Sequence, residues 1–133
     1  MIIACGEMMP TKQLNIWIKA LKNSTFYNLY GPTETTLASS FYKVDKKIRD
    51  DEFLPIGKAF SNSELLVFDE QMNLITKPNL KGQLYIRGTG LSSGYYNDLN
   101  KTKEAFIQNP LQNAYTDLIY KTGDIVAYDQ NGD

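Results

Sequence analysis

NLYGPTETT, residues 28–36, is the stretch on which the reading of this chain turns. Residues 26–30, FYNLY, are rich in aromatic and apolar side chains and predict a short buried strand. Gly31-Pro32 ends it, because glycine admits unusual backbone angles while proline fixes its own and withholds an N–H from any ladder. The polar loop that follows carries the hydroxyls of Thr33, Thr35 and Thr36 and a single carboxylate, Glu34. A strand that runs out into a polar loop is where α/β proteins place ligand chemistry. A threonine hydroxyl can donate to a phosphate oxygen, and a glutamate is a hard oxygen ligand that Mg²⁺ accepts beside waters and substrate phosphates. Tyr30 offers a flat face to a purine, and Asn28 offers a donor and an acceptor to its edge. A loop of internally satisfied hydroxyls with a solvated glutamate is the competing reading. Residue types alone favour it, whereas the order of the string does not.

Upstream, IIAC (residues 2–5) is a short apolar run with no partner nearby, which predicts a parallel strand. Pro10 suits a first helical turn, and Leu14, Trp17, Ile18 and Leu21 recur at the spacing of one helical face, predicting a helix over residues 10–22. Strand, helix and strand make a crossover unit whose product is a parallel pair. The Gly6-Glu7 turn and the Gly31-Pro32 loop then share one edge of the sheet, where a ligand would sit.

Downstream, residues 37–44 read as a further strand, and the charged run DKKIRDDE (residues 45–52) reads as a solvated connector and a subdomain boundary. Beyond it residues 64–68, 82–87 and 123–128 are short β runs between turn residues. Leu84 and Ile86 alternate with Tyr85 and Arg87, predicting a sheet covered on one face or a small barrel. A helix near residues 101–107, capped by Asn100 or Asp98 and stopped by Asn109-Pro110, interrupts the strands. Asn131-Gly132 signals a hairpin turn whose returning strand is missing, so residues 123–128 should be incompletely paired and favour edge-strand self-association.

Composition excludes several classes. With 133 residues, 42% hydrophobic and 22% charged, the chain has the makeup of one ordinary globular unit. A net charge of −1 gives no electrostatic case for nucleic acid or an anionic membrane. No apolar run approaches membrane-spanning length and the N-terminus lacks the pattern of a signal peptide, so a cytoplasmic chain is expected. The single cysteine, Cys5, excludes an internal disulfide, and the lack of histidine excludes the usual zinc sites and histidine-based triads. Gly88, Gly90 and Gly94 are spaced G-x-G-x-x-x-G, one residue too long for a dinucleotide fingerprint, and LSSGYYND cannot open an amphipathic helix. A structural turn between strands is the better reading.

NLYGPTETT resembles the signature of the adenylate-forming enzymes, specifically the amino-acid adenylation domains of non-ribosomal peptide synthetases and the D-alanine carrier-protein ligases. GQLYIRGTGLSSGYY (residues 82–96) is similar to the family's glycine-rich strand-and-turn motif, YKTGDI (120–125) to its Y-[RK]-TGDL motif, and ACGEMMP (4–10) to the strand-to-helix segment of the D-alanine ligase branch. The four strings stand in the family's order and cover the chain nearly end to end. Gln83 replaces a usual glutamate, and Ser92-Ser93 a common Ala-Arg pair. The family's upstream phosphate loop and its downstream small domain with a catalytic lysine are absent, which implies a fragment that folds without catalysing.

The fold that this resemblance implies is α+β. Residues 1–48 would be the tail of the large nucleotide-binding α/β subdomain, a strand-helix-strand remnant, and residues 49–133 a mostly antiparallel β subdomain forming a distorted small barrel. The implied cofactors are ATP and Mg²⁺. Asn28, Leu29, Tyr30, Gly31, Pro32 and Thr33 would line the nucleotide, Thr33 and Glu34 would serve catalysis, Glu34 would ligate the metal, and Asp124 would hold both ribose hydroxyls. Ile3, Cys5, Leu29, Leu37 and Ala38 match walls of the acyl-substrate pocket. All five are uncharged, implying a small or apolar amino acid, alanine among the candidates. The implied partner is a phosphopantetheinylated carrier protein, and the implied parent an ATP-dependent ligase. An acyl-CoA or aryl-acid ligase and a drifted, non-catalytic β-rich interaction module are the alternatives. Cys-Gly-Glu with YGPTETT favours the amino-acid branch over the first, and the intact Thr33-Glu34 pair with Asp124 argues against the second.

Overall fold

The computed structural model describes residues 1–45 and 48–133, which form two four-stranded sheets. The first contains β1 (Ile2–Ala4), β2 (Phe26–Tyr30), β3 (Ser40–Val44) and β4 (Lys58–Ala59), in that spatial order. β1 and β2 are parallel, with Ile2 opposite Phe26 and Ala4 opposite Asn28, as a crossover through α1 (Thr11–Ala20) requires. The other two pairings are antiparallel.

The helix forms where its periodicity predicts, but it packs only Leu14 and Ile18 of the predicted stripe against the core. Leu14 is 2% exposed and packs with Phe26, Val44, Ile48 and Leu54, with Ile18 against them, whereas Trp17 and Leu21 remain 50% and 44% exposed. The reason lies in the connector. Thr11 Oγ1 donates to the Asp50 carbonyl at 3.0 Å, and Asn15 Nδ2 donates to the Ile48 carbonyl and the Asp50 carboxylate at 2.6 and 2.7 Å. These bonds rotate the polar Thr11 and Asn15 inward and leave Trp17 outside. The charged run is solvated as expected at Asp45 and at residues 49–52, but its Ile48 is 2% exposed and anchors it in the core. Lys46 and Lys47 of that run lie outside the described residues. Leu54 and β4 also belong with the first sheet, so the changeover between sheets falls after Ala59 rather than at residue 48.

The strand expected over residues 37–44 begins only at Ser40. Thr36 and Leu37 have φ of 59° and 81°, a left-handed reversal that carries the chain back over the end of β2. The Ser39 N–H closes the reversal by donating to the Tyr30 carbonyl at 2.8 Å.

The second sheet is wholly antiparallel, in the order β5 (Ser63–Phe68), β6 (Gly82–Gly88), β8 (Leu118–Val126), β7 (Phe106–Gln108). It is open, with β5 and β7 at its edges, so the expected barrel does not close. Nor is it covered on one face only. Leu84, Tyr85 and Ile86 are 1%, 3% and 1% exposed: Tyr85 packs with Leu66, Phe68 and Ile119, while a cavity of about 470 Å³ lies between Val67 and Leu84 on the opposite face and residues 53–57. α2 (Leu99–Ala105) is capped by Asp98, whose carboxylate accepts from the Lys101 N–H at 2.9 Å. It stops earlier than expected because β8 recruits residues 106–108 as β7. The turn at residues 129–133 forms, with the Asp129 carboxylate accepting from the N–H groups of Asn131 and Asp133.

The β7–β8 hairpin is tied to β6 by charge. Arg87 Nε donates to Asp117 at 2.8 Å and its terminal nitrogen to Glu64 at 3.1 Å, and Asn109 donates to the other Asp117 oxygen at 2.9 Å. The guanidinium holds the Asp117 carboxyl below its usual range, against the opposing effect of burial. A carboxyl lowered in the folded state adds stability above its unfolded pKa and loses it as pH falls through the folded value. Stability should therefore decline from about pH 5 to pH 3, and Asp117→Asn should flatten that decline in urea-unfolding midpoints measured across the range.

Candidate functional site

Three loops from separate parts of the chain meet at the end of β2. Pro32 opens a single 3₁₀ turn, Thr33–Thr35, whose internal bonds run from the Thr35 N–H to the Pro32 carbonyl at 3.0 Å and from the Thr36 N–H to the Thr33 carbonyl at 3.1 Å. Thr35 is buried, and its hydroxyl donates to the Pro32 carbonyl and accepts from Ser39 Oγ at 2.8 Å. Thr35 thus holds the loop together, while Thr33 is exposed and Glu34 half-buried at its rim. Gly31 lacks a positive φ, so the expected conformational freedom is not why glycine stands there. The returning backbone is the cause: a Cβ at Gly31 would stand 2.5 Å from Ala38 Cα and 2.7 Å from Ser39 N.

The second loop, residues 88–94, follows β6 and stitches onto the first. Thr36 Oγ1 donates to the Gly90 carbonyl at 2.7 Å and the Ser92 N–H to the Glu34 carbonyl at 2.8 Å. Gly90 is glycine because a Cβ would come within 2.8 Å of the Thr35 carbonyl oxygen. No helix opens there, consistent with rejecting a dinucleotide fingerprint.

The third is a bulge in β8. Two steps along β6, from Gln83 to Tyr85, are matched by four along β8, from Ile125 to Lys121. The excess residues, around Thr122–Gly123–Asp124, leave the ladder with Gly123 at φ +87°. Thr122 Oγ1 anchors the bulge by donating to the Leu84 carbonyl at 2.8 Å and accepting from the Asp124 N–H at 3.0 Å. Asp124 is thereby lifted out of the sheet and exposed.

Each carboxylate is met by a tyrosine from the opposite sheet. Tyr30, on β2, donates its hydroxyl to Asp124 Oδ2 at 2.5 Å, and Tyr95, from the loop after β6, donates to Glu34 Oε1 at 2.6 Å. Burial, then the Asp124 carboxylate, pushes the Tyr30 phenol above its ordinary value, so it stays a donor. The Tyr95 hydrogen bond holds the Glu34 carboxyl below its ordinary value. Tyr120 stands close to both members of that pair, its phenol pushed up by burial and by Tyr95. Neither Tyr95 nor Tyr120 stood among the sequence-predicted site residues. The signal for Tyr95 was its place beside Tyr96 after a glycine turn, one ring turned in and the other, at 96% exposed, turned out.

The remaining predicted residues divide. Asn28 is 8% exposed and donates one of its two amide hydrogens to the Pro55 carbonyl at 2.9 Å, which fixes the amide and leaves one donor and the acceptor oxygen. Ile3 and Leu29 share the sheet face opposite the Phe26 core, since Ile3 pairs with Tyr27 and Leu29 lies two residues on. Leu29 is opposite Phe41, whose ring stands 6.4 Å from Tyr27 and 5.1 Å from Phe60. Ile3 and Cys5 line a cavity of about 350 Å³ with Met8, Met9 and Trp17, but Leu29, Leu37 and Ala38 do not reach it. The five pocket residues are thus not gathered into one cavity, and Leu37 is 71% exposed.

No cluster of three metal-ligating side chains occurs among the described residues. The single carboxylate Glu34 fits an ion that keeps its waters and takes the rest of its ligands from substrate phosphates, which is the habit of Mg²⁺.

Residues 1–96 match the family model described as AMP-binding enzyme. The chain belongs to that family. It is 34% identical over 131 residues to gramicidin S synthase 2 of Brevibacillus brevis, covering 98% of this chain and 3% of that protein. To surfactin synthase subunit 2 of Bacillus subtilis it is 36% identical over 129 residues, covering 95% and 4%. Among solved structures it is similar to holo-PA1221, an NRPS protein containing adenylation and PCP domains bound to a vinylsulfonamide inhibitor, with a TM-score of 0.90, 28% identity and 98% of this chain against 22% of that one. It is also similar to the Klebsiella oxytoca NpsA N-terminal subdomain in complex with 3-hydroxybenzoyl-AMSN, with a TM-score of 0.85, 28% identity, and coverage of 98% and 33%. The chain thus spans a few per cent of the synthetases and at most a third of these solved chains. No helix among the described residues is long and apolar enough to cross a membrane.

Proposed function

We propose that this chain supplies the adenosine side of an ATP-dependent ligase that activates an amino acid as its aminoacyl-adenylate and passes the acyl group to a carrier-protein thiol. The observation that carries this reading is that Tyr30, four residues before Glu34, is hydrogen-bonded to Asp124 of the other sheet, while Tyr95 ties Glu34 to the loop after β6. Asp124 Oδ2 accepts the Tyr30 hydrogen bond and the carboxylate's other lone pairs are left for two ribose hydroxyls. The Tyr30 ring bounds the adenine, Thr33 donates to a phosphate oxygen, and the second oxygen of Glu34 ligates Mg²⁺. Mg²⁺, when bound, offsets phosphate charge. In the first step a carboxylate oxygen of the amino acid bonds to the α-phosphorus and pyrophosphate leaves. In the second the phosphopantetheine sulfur bonds to the acyl carbon and AMP leaves. Such chemistry asks the protein chiefly for positioning and charge neutralisation.

The uncharged residues Ile3, Tyr27, Leu29 and Phe41 on one β-sheet face, which also carries Lys43 and Lys58 opposite Tyr27 and Phe41, support a small or apolar acyl group. The similarity to a protein containing adenylation and PCP domains supports the carrier partner. The complex of NpsA with a 3-hydroxybenzoyl compound gives an aryl acid as the second reading. Exchange of pyrophosphate into ATP by the protein that contains this chain, screened over amino and aryl acids, separates the two. Exchange dependent on an amino acid is expected, exchange with aryl acids alone would install the second reading, and none with either would remove both. The 133 residues by themselves should exchange no faster than a no-enzyme control, because loss of a single preorganised donor already costs about 10²- to 10³-fold.

A further inference from the structure

Glu34 is one carboxylate on a loop, and its orientation is set from outside that loop. The Tyr95 hydroxyl, from the other sheet, donates to Oε1 at 2.6 Å. Tyr95 is itself fixed. Its N–H donates to Thr102 Oγ1 at 2.8 Å, its ring meets Phe106 edge-on at 6.2 Å, and Lys101 Nζ stands 4.0 Å from the ring centroid. Gly94, at φ +120°, delivers it, with the Thr102 side chain filling the space a Cβ would need. A phenol carries one proton and engages one carboxylate oxygen, so Tyr95 leaves the second oxygen of Glu34 its lone pairs, with the Tyr120 hydroxyl also near this carboxylate.

We propose that Tyr95 is a positioning residue that locks the Glu34 carboxylate so that its second oxygen is presented to a phosphate-bound divalent cation. This rests on the reading of Glu34 as a ligand of MgATP. A cation held by one protein ligand depends on that ligand being fixed in advance, because a free glutamate would lose rotamer freedom on binding. Outer-shell partners that orient a metal ligand typically change metal affinity by about 10- to 100-fold.

The test is ATP binding to this chain with and without Mg²⁺, in wild type, Tyr95→Phe and Tyr96→Phe. Tyr96 is the control, a neighbouring tyrosine 96% exposed. Mg²⁺ should strengthen binding to wild type, and Tyr95→Phe should lose about tenfold of that gain, at the lower end of outer-shell effects. Its affinity for metal-free ATP and its amide spectrum should stay those of wild type, and Tyr96→Phe should match wild type throughout. A Tyr95→Phe protein that keeps the whole Mg²⁺ gain overturns the positioning role. So does an equal loss with and without Mg²⁺, which would make Tyr95 a structural prop. A wild type indifferent to Mg²⁺ removes the reading of Glu34 itself, and this inference with it.

Discussion

Replacing Gly31 by alanine should lower the unfolding free energy by about 3 kcal/mol, near the upper end of what overpacking costs. The new methyl would meet backbone on three sides, Ala38 Cα at 2.5 Å, Ser39 N at 2.7 Å and the Leu37 carbonyl oxygen at 2.8 Å, and backbone cannot rotate out of the way as a side chain can. The only relief is to lift residues 36–39 off β2, which breaks the Ser39–Tyr30 bond and draws Thr36 away from Gly90. Gly123→Ala is the comparison. It sits at φ +87° with nothing within 4 Å of the added carbon, so it should cost only the strain of its backbone angle, about 1 kcal/mol. Urea midpoints for the two variants check this ordering. A Gly31→Ala protein as stable as Gly123→Ala would mean that the loop does not pack on β2 as described.

How much of this was legible follows from where each signal resides. β2 was read to the residue, because an aromatic run ended by Gly-Pro is a local signal, and the parallel pair followed from a crossover that leaves no other common product. The helix cap was also a local signal, narrowed to Asn100 or Asp98, of which Asp98 fills it. What was not legible depends on partners distant in the chain. Phe106–Gln108 continues a helical pattern in sequence and becomes a strand because β8 pairs with it. The burial of Thr11 and Asn15 in place of Trp17 is set by Asp50, 35 to 39 residues on. Asn28 reads as a free amide until Pro55 claims one of its two donors. The motif residues themselves were legible because their order in the chain is unusual. Their cross-sheet tyrosine bonds, which span 94 and 61 residues, were not.

Asp124→Ala should weaken ATP binding by about 100-fold, the loss of two hydrogen bonds to a charged acceptor at roughly 1.5 kcal/mol each. Binding of 2′,3′-dideoxy-ATP, which has no diol to offer, should barely change. Tyr30→Phe keeps the ring that would bound the adenine and deletes only the hydroxyl that fixes Asp124 at 2.5 Å. It should therefore weaken ATP by about tenfold, through one lost orienting bond to a charged group, while again sparing the dideoxy nucleotide. If the tyrosine acts through the aspartate, adding Tyr30→Phe to Asp124→Ala should cost nothing more for either nucleotide. Independent losses that multiply in the double variant would show that the phenol touches the ligand directly. A wild-type chain that binds ATP and its dideoxy analogue equally well would show that Asp124, although lifted from the sheet by its bulge and held by Tyr30, does not receive a ribose.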